Sequence, residues 1–320
     1  MEQATPIVCQ YRQASGRAFN DCVILGRRFP EDIGPIASES DFWILINEAG
    51  PGGTATHAFW SFRSFVTGIW RSPAGTVYAT DADMGGLYVF QDIMDTNRPS
   101  DRVKLNGVTP EGVWGLSDDC VFVWGTRMDA DRKKTYPVFR FDGSAWNELA
   151  PLPHPTNRIH GVSPDVIYAC GWHGMIAKWN GGGWQEFPAP TREIVTGIHV
   201  ESHDELYAVT NDGQLLEGSA SGWDYSASNP LGATPFSSVA KFAGEVFVAA
   251  NELGLMRRVS GGGALEVFKP KVTGVHMEAR ESLIVTCDNI VAGTFDGQDF
   301  KGAAKNQLAL LTANKPIPPL

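Results

Sequence analysis

Cysteine is scarce and widely spread in this chain. The five residues, Cys9, Cys22, Cys120, Cys170 and Cys287, are odd in number, and no CxxC pair exists. This excludes a disulfide-stapled scaffold and fits buried free thiols in a reducing compartment. Basic residues are outnumbered: 26 Lys and Arg face 36 Asp and Glu, for a formal net charge of -10. Non-specific binding to nucleic acid or to an anionic membrane is disfavoured on that balance, and a charge-guided partner would be basic. No apolar run approaches the roughly 18 residues of a membrane span. The start, Met1-Glu2-Gln3-Ala4-Thr5-Pro6, has no basic segment followed by an apolar one, so a cytoplasmic protein is expected. No glycine-rich phosphate loop joins a strand to a helix, and spacing pairs no Ser or Cys nucleophile with a His. The expectation is therefore no cofactor and no catalytic residue.

Glycine and proline are plentiful, at 35 and 20 residues. They punctuate a repeat. An apolar–x–Gly–apolar element recurs as Val66-Thr67-Gly68-Ile69, Val113-Trp114-Gly115-Leu116, Ile159-His160-Gly161-Val162, Val195-Thr196-Gly197-Ile198 and Val272-Thr273-Gly274-Val275, with a weaker copy at Phe236-Ser237-Ser238-Val239. Successive spacings are 47, 46, 36, 41 and 36 residues. Short apolar runs rich in β-branched and aromatic residues follow each element, as at Val121-Phe122-Val123-Trp124 and Val246-Phe247-Val248-Ala249. A period of this size with short strands predicts an all-β fold, a β-propeller of four-stranded blades. Seven blades are expected, with six as the alternative. The boundaries read as a single domain over 1–320, with a degenerate first blade and ring closure in 1–64, then blades at 65–105, 106–153, 154–190, 191–230, 231–271 and 272–320. Closure is expected to pair an N-terminal strand with residues 308–311.

Several third strands end in a tight turn leading to an aromatic, as in Phe141-Asp142-Gly143-Ser144-Ala145-Trp146 and Trp179-Asn180-Gly181-Gly182-Gly183-Trp184. Asp-Gly and Asn-Gly supply the positive φ of a hairpin turn. This pattern resembles the turns of bacterial propeller repeats related to the kelch and Asp-box groups. The resemblance covers most of 64–300 and implies a fold only, because such propellers host binding modules, scaffolds and enzymes.

In this topology, loops between second and third strands share a face with the links between blades. That face is expected to gather Asp81, Asp83, Asp129, Asp131, Arg132, Trp172, His173, Asp212, Glu252 and Asp288 from the loops, and Arg158 and Arg192 from the links. Asp and Asn are also ordinary turn residues, so solvated turns are the competing reading. The Asp81-Ala82-Asp83 and Asp129-Ala130-Asp131 pairs lack the register of a Ca²⁺ loop. His199 and His276 share a register with Trp70, two residues after their glycines, and two histidines alone make a poor metal site. The leading expectation is a non-catalytic protein-binding propeller, an inhibitor or immunity-type protein or an assembly scaffold. The alternatives are a carbohydrate-binding propeller stacking sugars on Trp146, Trp184 and Trp223, and a hydrolase or lyase using His160, His173, Asp81 and Asp131 at the channel mouth.

Overall fold

The computed structural model describes residues 6–32, 34, 41–50, 53–62, 64–95, 100–259 and 263–303. These form seven antiparallel sheets in chain order, each built from four consecutive strands, with a short fifth strand in the third. The fold is a seven-bladed β-propeller. Blades 1 to 7 span residues 7–62, 66–104, 108–148, 156–186, 195–228, 238–269 and 274–303. Helix among the described residues is limited to single 3₁₀ turns at Trp172–Gly174 and Asn251–Leu253.

The second strands explain why the ring holds. Val77–Asp81 and Leu283–Cys287 are buried along their whole length, as a strand covered on both faces must be. Apolar side chains of neighbouring blades meet in seven clusters, one at each junction. Between blades 3 and 4, for example, Phe122 and Trp124 pack with Ile167, Ala169 and Trp179. Each fully buried side chain of this size contributes about 1.5–3 kcal/mol. All five thiols are free, and Cys22, Cys120, Cys170 and Cys287 are buried. The turn tryptophans belong to this packing. Trp223 is 6% exposed within the blade 4–5 cluster, and Trp146 and Trp184 pack against clusters flanking blade 3. Trp223 is thereby covered, while Trp146 and Trp184 remain partly exposed.

The first 62 residues carry no glycine element, yet they form the blade with the longest strands, of 12, 10, 10 and 10 residues. The expected closure through 308–311 lies outside the described residues. In the described part, blade 1 closes on blade 7 side by side. Phe19 N–H donates to Ser282 Oγ at 2.6 Å, Tyr11 N–H to the Asp288 carbonyl at 2.8 Å, and Glu281 N–H to the Arg17 carbonyl at 3.0 Å. Tyr11, Phe19 and Trp43 pack there against Ile284 and Val291.

A bulge near the start of the inner strand sets the true register of the repeat. It falls at Arg12, Thr67, Glu111, Asn157, Thr196 and Val275, where one extra residue interrupts pairing with the second strand. The Gly115 and Gly161 motifs therefore do not match Gly68 in space. Each lies three residues beyond its bulge-following position, which Gly112 and Arg158 fill. Gly274 precedes its bulge, and His276 follows it. The apolar–x–Gly pattern occurs at two levels of these strands, and only the bulge distinguishes them.

Candidate binding face and channel mouth

The loops and blade links share one face and are bonded to each other. Trp172 N–H donates to the Pro155 carbonyl at 3.1 Å, Gly174 N–H to Glu193 at 2.8 Å and Asn211 N–H to Ile194 at 3.0 Å. Two residues from each inner strand face the channel where it opens there. The bulge residues form the outer ring: Arg12, Thr67, Glu111, Asn157, Thr196, Ser237 and Val275. Four of these latch their blade to the next. Thr67 Oγ1 donates to Pro110 O (2.9 Å), Asn157 Nδ2 to Val195 O (2.9 Å), Thr196 Oγ1 to Phe236 O (2.7 Å) and Ser237 Oγ to Gly274 O (3.1 Å). These bonds also place Ser237 in register with the bulges.

The next ring inward is Gln13, Gly68, Gly112, Arg158, Gly197, Ser238 and His276. The strands crowd here: a Cβ on Gly68 would lie 3.3 Å from Gly112 Cα, and one on Gly197 would lie 3.1 Å from Ser238 Cα. Gln13 Oε1 accepts from Ile69 N–H at 3.2 Å and Ser238 Oγ from Met277 N–H at 3.1 Å, both across blade junctions. Arg158 has only a 3.4 Å contact from Nη1 to the Asn157 carbonyl. Burial and the nearby Arg12 cation lower the Arg158 pKa, with burial the larger cause.

Two residues deeper lie Trp70, Trp114, His160, His199 and Glu278. His199 thus shares a level with His160 and Trp70. His276 sits one level above, beside Arg158, which corrects the register expected from sequence. The rings of His160 and His199 are 4.9 Å apart, and Trp114 lies 5.4 Å from His160. His160 Nδ1 accepts Val200 N–H at 3.0 Å. Burial, then His199 and Arg280, hold its pKa well below the usual range, so the ring is neutral with its proton on Nε2. Burial and then Arg158 do the same to His276. Burial pushes Glu278 up, against the pull of Arg280. Among the described residues, no three His, Cys, Asp or Glu side chains gather as metal ligands.

A cavity of about 720 Å³ opens over the mouth, lined by Arg12, Thr67, Glu111, Lys134, Tyr136, His154, Asn157, Arg158, Trp172 and His173 among others. A second cavity, of about 450 Å³, shares Asn157, Arg158 and Trp172 with it. Arg158 also lines the narrow channel below. Of the twelve face residues expected from sequence, Arg158, Trp172 and His173 line these cavities. Trp172 is 45% exposed, and His173 packs edge-on against His154 at 4.8 Å.

The others are placed differently. Asp81 is fully buried, accepts Met84 N–H at 2.9 Å and the Ser64 hydroxyl, and so shapes its loop rather than offering a contact. Asp83 accepts Phe65 N–H at 2.8 Å. Asp129 accepts Lys133 N–H at 2.8 Å in the turn where Arg132 adopts φ 62°. That turn caps a hairpin extension whose second strand, Lys134–Thr135, brings Lys134 to the cavity. Asp212 accepts the Thr210 hydroxyl. Asp131, Arg192, Glu252 and Asp288 are exposed on the surrounding loops. The proposed acid–histidine set does not converge: His160 lines the channel, His173 lines the outer cavity, and Asp81 is buried under the blade 2 loop. Sequence reading missed Arg12 and Glu111, which lie at bulges outside the glycine elements as aligned. Lys134 ends the long charged loop from Arg127, which the sequence offers as a contact arm, with a mobile loop as the alternative.

No family model matches the chain. A stretch of 120 residues is 29% identical to the curated protein "Immune protein Tsi7" of Pseudomonas aeruginosa. It covers 35% of this chain and 39% of that relative, so the match spans well under half of either. Among solved structures, the WD40 propeller domain of Doa1 superposes with a TM-score of 0.67 at 10% identity, over 91% of this chain and 93% of that one. Virginiamycin B lyase from Staphylococcus aureus gives 0.59 at 16% identity, over 76% and 85%. YCF48 bound to D1 peptide gives 0.59 at 12% identity, over 89% and 91%. At these identities the structures show the shared fold alone.

Proposed function

We propose that this propeller is a protein-binding module of the inhibitor or immunity type, gripping a polypeptide partner at the channel mouth from within the cytoplasm. The observation that carries the reading is the pair of adjoining cavities joined by Arg158 and Trp172 on the loop-bearing face. Tryptophan and arginine are among the residue types enriched at the energetic centres of protein interfaces. The local likeness to an immune protein supports the same class. The packed turn tryptophans weigh against sugar binding, and the scattered acids and histidines weigh against hydrolysis at the mouth.

The test joins capture to genetics. Tagged protein isolated from its native cell should retain one polypeptide in stoichiometric amount, and Trp172→Glu should release it while the thermal midpoint stays unchanged. Deleting the gene should impair growth, and inactivating the captured partner should restore it. Growth unaffected by deletion, with nothing retained by the native protein, would sink the reading.

A further inference from the structure

We infer that the pocket between Arg12 and Arg158 receives carboxylates from an acidic segment of the partner; this rests on the protein-binding reading above. The chain's net charge of -10 points to a basic partner, but the mouth points the other way. The charged side chains lining its main cavity are Arg12, Lys134 and Arg158 against the single carboxylate of Glu111. Glu111 is already engaged, accepting the Thr126 hydroxyl at 2.8 Å. Among the described residues, neither Arg12 nor Arg158 forms an ion pair, a lack shared with Arg27, Arg102, Arg132, Arg140 and Arg192, none of which lines this cavity.

Folding does not explain the two arginines. Arg12 occupies the outer-ring position where Thr67, Asn157, Thr196 and Ser237 latch adjacent blades, and it makes no such bond. Arg158 occupies the inner-ring position that is small in Gly68, Gly112, Gly197 and Ser238, and unlike Gln13 in the same ring it makes no bond across a blade junction. Two guanidiniums that line one cavity, neither paired with a protein carboxylate, leave donors that a ligand carboxylate can fill, and Arg offers carboxylates two parallel donors. The 720 Å³ cavity is of the size that admits several side chains rather than a lone ion.

Fluorescein-labelled decaglutamate and decalysine serve as probes, titrated by anisotropy at low ionic strength against the whole chain. Decaglutamate should bind and decalysine should not. Arg12→Gln and Arg158→Ser should each weaken decaglutamate about tenfold or more, while Lys301→Gln, on the outermost strand of blade 7, should change nothing. Arg12 is exposed, so its variant reports on the pocket even if the Arg158 variant folds poorly. Decalysine binding as tightly as decaglutamate, or decaglutamate binding indifferent to both arginines, overturns the inference. A partner captured equally by wild type and by the Arg12→Gln/Arg158→Ser double variant overturns it too, while leaving the protein-binding reading intact. Decaglutamate bound through both arginines, with no polypeptide captured by any form, supports the pocket and removes the protein partner.

Discussion

At the channel mouth, blade 5 presents Thr196 and Gly197 where blade 1 presents Arg12 and Gln13 and blade 4 presents Asn157 and Arg158. Thr196 bonds the next blade at 2.7 Å, and Gly197 lets the neighbouring strand approach. Arg12 does neither, and Arg158 projects into three adjoining spaces. The backbone is the same in all three blades, so the different side chains reflect different demands. The positions that hold the ring together do so as small residues, as hydroxyls, or as the amides of Gln13 and Asn157. Arg12 and Arg158 gain no bond between blades at these positions, which is the feature the binding proposal builds on.

Exchanging the two kinds of position breaks the comparison most sharply. Gly197→Arg forces a Cβ to 3.1 Å from Ser238 Cα and adds an unpaired cation to a crowded level. It should cost about 3 kcal/mol in a urea melt. Removing a buried loop carboxylate comes next. Asp81→Ala strips acceptors from Met84 N–H and Ser64 and should cost about 2 kcal/mol, whereas Asp131→Ala, in the matching exposed loop, should stay within about 0.5 kcal/mol. Thr196→Val removes one interblade latch and should cost about 1 kcal/mol with the fold intact.

The smallest effect is on pH dependence. His160 and His276 titrate below the ordinary value of 6.5 when folded, so the unfolded chain binds their protons first. Their contribution is complete above about pH 6.5 and is lost as pH falls toward the folded values. His160→Gln/His276→Gln should therefore flatten the decline of the thermal midpoint below that pH. An unaltered slope would mean that both rings already carry protons in the native state.

The architecture was legible because blade strands are buried on both faces, which leaves apolar runs such as Val121-Phe122-Val123-Trp124 separated by Gly-marked turns. Seven blades followed from the period, even though blade 1 lacks the glycine element. The register at the mouth was not legible. A bulge depends on hydrogen bonding between strands, and Gly115 mimics Gly68 in sequence while sitting three residues beyond Gly112. The candidate site suffered from the same slip. Arg158 was visible as a link residue, but its place among glycines and serines appears only when the strands are paired. Asp81 and Asp83 look alike in sequence, and only packing shows that one is buried and the other exposed.

The central claim is that Arg158 is kept for a ligand and not for the ring. The direct measurement is the thermal midpoint of the isolated Arg158→Ser protein, which gives blade 4 the residue that blade 6 already uses at Ser238. The account predicts a midpoint within about 2 °C of wild type, the shift expected for less than about 1 kcal/mol. A fall of many degrees would show that the guanidinium supports the fold, and would contradict the claim that Arg158 is kept for a ligand and not for the ring.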